Sequence, residues 1–186
     1  MEAAGVATGV LAVWLTTREN PACWPVGLVN VLLFSVVFFR ARLYADAGLQ
    51  LVYAALCVYG FWSWLHGGEG GSRLRVARAP ARVLAALFAA GLAAGALLGL
   101  LLHRGTDASL PFWDAGTTSF SLVAQALQTR KWIENWVVWI AVDAVYLGVY
   151  VVKGLHLTAG LYAAFLVLAV VGLVRWRRSL AGGLPA

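Results

Sequence analysis

Uninterrupted apolar runs constrain this chain more than any other feature. An α-helix needs about 20 apolar residues to cross a bilayer. Runs of roughly that length occur at 2–17, 24–39, 43–65, 82–102, 112–129, 135–152 and 156–174, the first of them short. No strand-like alternation competes with them, and an open sheet would leave its edge groups unsatisfied in lipid. A water-facing surface could not be built from what remains. Apolar residues make up 62% of the chain and charged residues 12%, against about 45–50% and about 25% in soluble domains. The expectation is an all-α integral membrane protein of seven transmembrane helices. Met1-Glu2-Ala3 lacks the basic start of a signal peptide and is expected to be retained. Cys23 and Cys57 have neither metal spacing nor a disulfide framework, and read as buried, inert thiols.

The chain also resembles itself. Shifted by 112 positions, residues 12–64 fall on 124–176 without a gap, and 15 of the 53 pairs are identical. Shared Leu, Val and Ala explain some of these. Trp24/Trp136, Gly48/Gly160, Gly60/Gly172 and Trp64/Trp176 at one constant offset are harder to attribute to composition. Helices 1–3 and 5–7 therefore read as copies, with helix 4 between them. Three crossings plus one make an even number, so the second copy enters the membrane in the same orientation as the first. That is a 3+1+3 parallel repeat about an axis along the membrane normal. The expected units are 1–66, a linker and helix 4 over 67–103, 104–178, and a cytoplasmic tail over 179–186. Within the linker, Gly67 to Ser72 reads as flexible and hydrophilic. Helix 4 is almost wholly Ala, Leu and Gly, without a polar face.

The net charge of +6 becomes informative by position. Arg18, Arg73, Arg75, Arg78, Arg82, Arg130, Lys131, Arg175, Arg177 and Arg178 share the side of the C-terminus, while Arg40, Arg42, Arg104 and Lys153 share the other. Ten against four places the C-terminus in the cytoplasm and the N-terminus outside. The charge reads as topology, not as a nucleic-acid footprint.

Polar residues then mark inward faces, because a polar group in lipid is costly unless it faces the bundle interior. Helical steps of three and four group Trp136, Trp139, Asp143, Tyr146 and Tyr150 in helix 6. The same steps group Asp114, Thr118, Ser121, Gln125 and Gln128 in helix 5, and Asp46, Gln50, Tyr53, Cys57, Gly60 and Trp64 in helix 3. Helix 7 carries Thr158, Tyr162, Phe165, Ala169, Gly172 and Trp176, and helix 2 carries Asn30 and Phe34. Facing one another, such stripes suit a polar ring compound held by stacking and a few directed hydrogen bonds. Asp143 lies seven residues beyond Trp136, about 10 Å deeper at the helical rise. It reads either as a substrate-cavity group or as an interhelical hydrogen bond. Trp14, Trp62, Trp64, Trp113, Trp132 and Trp176 lie near helix ends and read as an interfacial aromatic belt. The paired glycines and Pro25 read as sites of close packing, bending or hinge motion.

Catalysis finds little support. There is no HExxH, no GxSxG and no pair of membrane-embedded acids, and both lysines, Lys131 and Lys153, sit at helix ends. No enzyme activity, cofactor or metal is expected.

Pro111-Phe112-Trp113-Asp114 and the block from Gln128 through Thr129-Arg130-Lys131-Trp132-Ile133-Glu134-Asn135-Trp136 to Trp139 resemble the signature of PnuC transporters. So do Gly27-Leu28-Val29-Asn30, Arg42-Leu43-Tyr44 and Tyr59-Gly60-Phe61-Trp62-Ser63-Trp64. The resemblance spans all seven helices. It implies a bacterial inner-membrane vitamin importer with a 3+1+3 arrangement similar to SWEET sugar transporters. Such a protein facilitates diffusion of nicotinamide riboside, and a cytoplasmic kinase traps the substrate by phosphorylation. By matching positions, the substrate contacts would be Asn30, Phe34, Gln50, Gln125, Trp136, Trp139, Asp143 and Tyr146. Glu134 and Asn135 would cap and anchor helix 6, with Asn135 able to reach the cavity. Some relatives carry Asn at the position of Asp143, and others transport thiamine or riboflavin, so those vitamins are the alternatives. A non-transporting seven-helix sensor is another. The Ala/Gly/Leu faces of helix 4 leave a homo-oligomer open.

Overall fold

A computed structural model describes residues 2–40, 42, 44–105 and 110–182. Seven α-helices follow one another: α1 (Glu2–Thr17), α2 (Cys23–Arg40), α3 (Tyr44–His66), α4 (Ala81–Gly105), α5 (Pro111–Thr129), α6 (Glu134–Val152) and α7 (His156–Gly182). These are the seven apolar runs, nearly residue for residue, except that α7 continues eight residues beyond the expected 174. The expected tail at 179–186 therefore begins in helix. Its last residues, 183–186, and the expected start of the third run at Leu43 lie outside the described residues.

Local chemistry sets the helix ends. Pro111 occupies the first turn of α5, where its missing N–H is not needed. Pro25 likewise falls in the first turn of α2, so it starts a helix and does not bend one. Three helices end in the same hydrogen-bonded closure, a left-handed residue just past the last turn. Glu19 (φ 55°) ends α1, Lys131 (φ 50°) ends α5, and Gly154 (φ 71°) ends α6. Asn20 N–H donates to Leu15 O, Trp132 N–H to Leu127 O, and Leu155 N–H to Tyr150 O, completing each closure.

Five of the helices are long and apolar enough to cross a membrane: α2, α3, α4, α6 and α7. α1 is 16 residues long. α5 has the length but carries buried Thr117, Ser119, Ser121, Gln128 and Thr129. Its surroundings explain the deviation, since α5 packs against α3, α4 and α6 and turns its polar groups to protein.

The packing order is a ring of six, α1–α2–α3–α5–α6–α7 and back to α1, with α4 outside it against α5. Gly91, Gly95 and Gly99, one per turn of α4, are buried there against Val123, Gly116 and Phe112. Other glycines divide. A Cβ at Gly60 would overlap the Trp24 indole, and one at Gly172 would overlap that of Trp136. Gly48 and Gly160 have no neighbour within 4 Å of that position, so the close-packing role expected for them does not hold.

The segment before α4 is held, not free. After one 3-10 turn at Glu69–Gly71, Ala77 N–H donates to Lys131 O and Ile133 N–H donates to Ala77 O. Ala79 N–H donates to the Glu134 carboxylate at 2.9 Å. Glu134 thus ties this segment to α6 and does not cap the helix.

Candidate binding cavity

The ring of six encloses a cavity of about 510 Å³. Four stripes meet in it: Trp136, Trp139, Asp143, Tyr146 and Tyr150 from α6; Thr118, Ser121, Gln125 and Gln128 from α5; Asp46, Gln50, Tyr53 and Cys57 from α3; and Tyr162, Phe165 and Ala169 from α7. Asn30 enters from α2. Seven of the eight expected contact residues are therefore brought together: Asn30, Gln50, Gln125, Trp136, Trp139, Asp143 and Tyr146.

Phe34 is the one left out. Its ring fills the notch left by Gly5 in α1 and stacks on Phe38, with centroids 5.8 Å apart. Asp114, also on an expected stripe, does not line the cavity either.

The lining residues differ in how much of their bonding capacity the protein uses. Asn30 donates its amide N–H groups to Gly5 O and to Thr8 Oγ1, tying α2 to α1. Trp139 donates its indole N–H to Gln128 Oε1 at 3.2 Å, which fixes the ring. Gln50, Gln125 and Asp143 form no side-chain hydrogen bond among the described residues. Asp143 is 6% exposed. A carboxylate so placed gains strongly from any donor or cation that reaches it. Around it the rings of Tyr146, Tyr150 and Tyr162 form a cluster, with Tyr146 and Tyr162 centroids 4.7 Å apart and Tyr150 and Tyr162 5.2 Å apart. Aromatic faces and a carboxylate together favour a cationic ring.

A floor of tryptophans closes one end. Trp64 and Trp176 were expected in an interfacial belt, but they are 2% and 0% exposed. They pack together at 5.9 Å, and each meets a second indole edge-on at 5.4 Å, Trp64 against Trp24 and Trp176 against Trp136. Burial is tolerated because both N–H groups have acceptors: Trp64 donates to Gln128 O at 2.9 Å, and Trp176 donates to Thr16 O at 3.1 Å. Trp14, Trp62 and Trp113 are exposed, as a belt requires. Beside the floor, Lys131 Nζ lies 3.2 Å from Glu19 Oε2 and 4.6 Å from the Trp64 ring centroid. Burial pushes the Lys131 ammonium down from its ordinary pKa, and the Glu19 carboxylate opposes that shift. Asn135, next to Trp136, is fully buried and donates to Trp132 O, so it reaches the turn before α6 and not the cavity. At the other end the lining reaches Asp46, which is exposed, so the cavity communicates with the surface there.

A cavity of aromatic rings with unpaired polar groups has the features of a ligand site, and comparison with known proteins identifies the family. The nicotinamide mononucleotide transporter family matches residues 1–178. The chain belongs to this family. The nicotinamide riboside transporter PnuC of Escherichia coli K12 is 26% identical, over 96% of this chain and 85% of that protein. The riboflavin/roseoflavin transporter RibM of Streptomyces davaonensis is also 26% identical, over 90% of this chain and 80% of its own. A crystal structure of the vitamin B3 transporter PnuC superposes with a TM-score of 0.73 at 23% identity, covering 96% of this chain and 80% of that one. This PnuC-family chain is thus a multi-pass membrane protein of a bacterial transporter family.

Tyr53, Thr118, Ser121, Tyr150, Tyr162 and Phe165 were not among the expected contacts. All six lie on the polar stripes, so helical periodicity alone signals them; matching motif positions does not.

Proposed function

We propose that this protein imports nicotinamide riboside by facilitated diffusion, with alternating access of one central cavity and uptake drawn forward by cytoplasmic phosphorylation of the substrate. The observation that carries the reading is the unpaired Asp143 carboxylate among stacked tyrosines, in a cavity of about 510 Å³. Ligand cavities run to about 300–1,000 Å³, and the riboside carries a cationic pyridinium ring. Asp143 and the tyrosines would face that ring, Trp136 and Trp139 would enclose it, and Gln50 and Gln125 would take the ribose or carboxamide.

Alternating access rests on a 3+1+3 parallel repeat of the SWEET kind, divided at 1–66, 67–103 and 104–178. Contacts supporting it recur at the offset of 112. Trp24 over Gly60 matches Trp136 over Gly172. Trp64 donating to Gln128 O matches Trp176 donating to Thr16 O. Two such halves can rock about the site between them. The cytoplasmic side would be the floor, where the ten basic residues gather.

Titrating purified protein with nicotinamide riboside, thiamine and riboflavin tests the substrate. The riboside is expected to bind tightest, and sub-micromolar thiamine binding without riboside binding overturns the assignment. Riboflavin is the second reading, favoured by the likeness to RibM. Its neutral ring would give Asp143 no counter-charge. Proteoliposomes loaded with riboside kinase and ATP separate transport from sensing: substrate must accumulate, and binding without accumulation identifies a sensor.

A further inference from the structure

Glu19 and Lys131 occupy the same place in the two halves of the chain, 112 positions apart and each preceded by Thr-Arg. Both stand in the left-handed conformation, at φ 55° and 50°. Glycine is the residue that closes a helix there without a steric penalty. A charged residue in that conformation at both helix ends carries backbone strain, and such strain persists only where the surrounding structure holds it. The two residues carry opposite charges although the positions before them are identical, and they meet each other at 3.2 Å.

The pair also spans a gap. α1 and α5 are not among the closely packed helix pairs, so Glu19 and Lys131 join two helix ends that otherwise pack against other helices and not against each other. The tryptophan floor lies directly beside them, crossed by the two indole hydrogen bonds between halves. That floor is closed but incompletely satisfied: the indole N–H groups of Trp24 and Trp136, again 112 apart, are buried without an acceptor. Arg73 adds a like charge near Lys131, so Lys131 without Glu19 would be a buried cation beside another cation.

We propose that the Glu19–Lys131 pair is the latch of the cavity floor, and that its rupture opens the cavity on the basic end. The latch rests on the transporter reading above. Its test needs no substrate, so failure of the latch and failure of the vitamin assignment can be told apart. Cys23 serves as a native reporter, being buried, lining the cavity at the floor and lying next to Trp24. Full-length protein carrying Cys57→Ser is reconstituted in vesicles of defined orientation. A polyethylene-glycol maleimide, too bulky to pass through the cavity, is then added at the face of the C-terminus. Glu19→Gln and Lys131→Met should each raise the rate of Cys23 labelling about tenfold, equivalent to about 1.4 kcal/mol. Glu19→Gly guards against misfolding, because glycine suits that backbone; it should label as fast as Glu19→Gln. The exchange Glu19→Lys with Lys131→Glu should return labelling toward the parent rate. Parent-rate labelling in all single variants overturns the latch. So does an exchanged protein that labels as fast as the single variants, because local packing and not the ion pair would then hold the floor.

Discussion

The floor and the wall of the cavity both carry inward polar side chains, and they use them to opposite ends. In the floor, Trp64 and Trp176 have backbone acceptors, Thr17 and Thr129 bond back to their own helices, and Lys131 is paired with Glu19. In the wall, only a few turns away, Gln50, Gln125 and Asp143 form no side-chain hydrogen bond among the described residues. A polar group inside a membrane protein is costly unless bonded. The floor meets most of that requirement internally, the Trp24 and Trp136 N–H groups excepted, and so makes structure. The wall leaves it for something that enters, and so makes a site. Trp136 belongs to both: its ring lines the cavity while its edge packs over Gly172.

That contrast predicts that floor substitutions change stability and wall substitutions change binding. The largest effect is expected from Gly172→Leu, where the side chain would enter the space of the Trp136 indole. The cost should be about 3 kcal/mol, seen as a lower melting temperature in detergent and a reduced folded yield. Asp143→Ala should weaken riboside binding by about 30-fold, since hydrogen bonds to charged groups contribute about 1.5–3 kcal/mol. Its melting temperature without ligand should stay at the parent value. If that temperature falls as far as in Gly172→Leu, Asp143 belongs with the floor. Gln125→Ala should cost about 1 kcal/mol of binding, roughly fivefold, measured in the same titration. If Gln125→Ala and Asp143→Ala both bind normally, other residues line the site. The smallest effect is expected from Gly160→Ala. No neighbour lies within 4 Å of the added carbon, and alanine favours a helix interior over glycine by about 0.5–1 kcal/mol, so the melting temperature should hold or rise slightly.

These glycines show how far the sequence could be read. Gly48/Gly160 and Gly60/Gly172 are equally good identities at the offset of 112, and sequence alone puts all four in one class. Only Gly60 and Gly172 prove to be notches for indole rings. The tryptophans divide in the same way. A position near a helix end suits the interfacial belt, and Trp62 and Trp113 are exposed accordingly. Trp64 and Trp176 also lie near the expected ends, but their side chains are buried against other indoles inside the bundle. Phe34 follows Asn30 by one turn and shares its stripe, yet the empty space at Gly5 takes its ring away from the cavity. In each case the deciding fact is a neighbour on another helix, which no local pattern encodes.

The sequence by itself determined the number of helices, most of their ends, and the faces that turn inward. Lipid imposes these, because it penalises every unbonded polar group, and the penalty writes itself into the chain as hydrophobic length and helical period. Tertiary structure alone decided which inward groups are bonded to one another and which remain free. It set Trp64 against Trp176, ordered the segment before α4 along the turn into α6, and brought Glu19 to Lys131 across the floor. Those outcomes depend on distances between helices far apart in the chain, and only packing sets such distances.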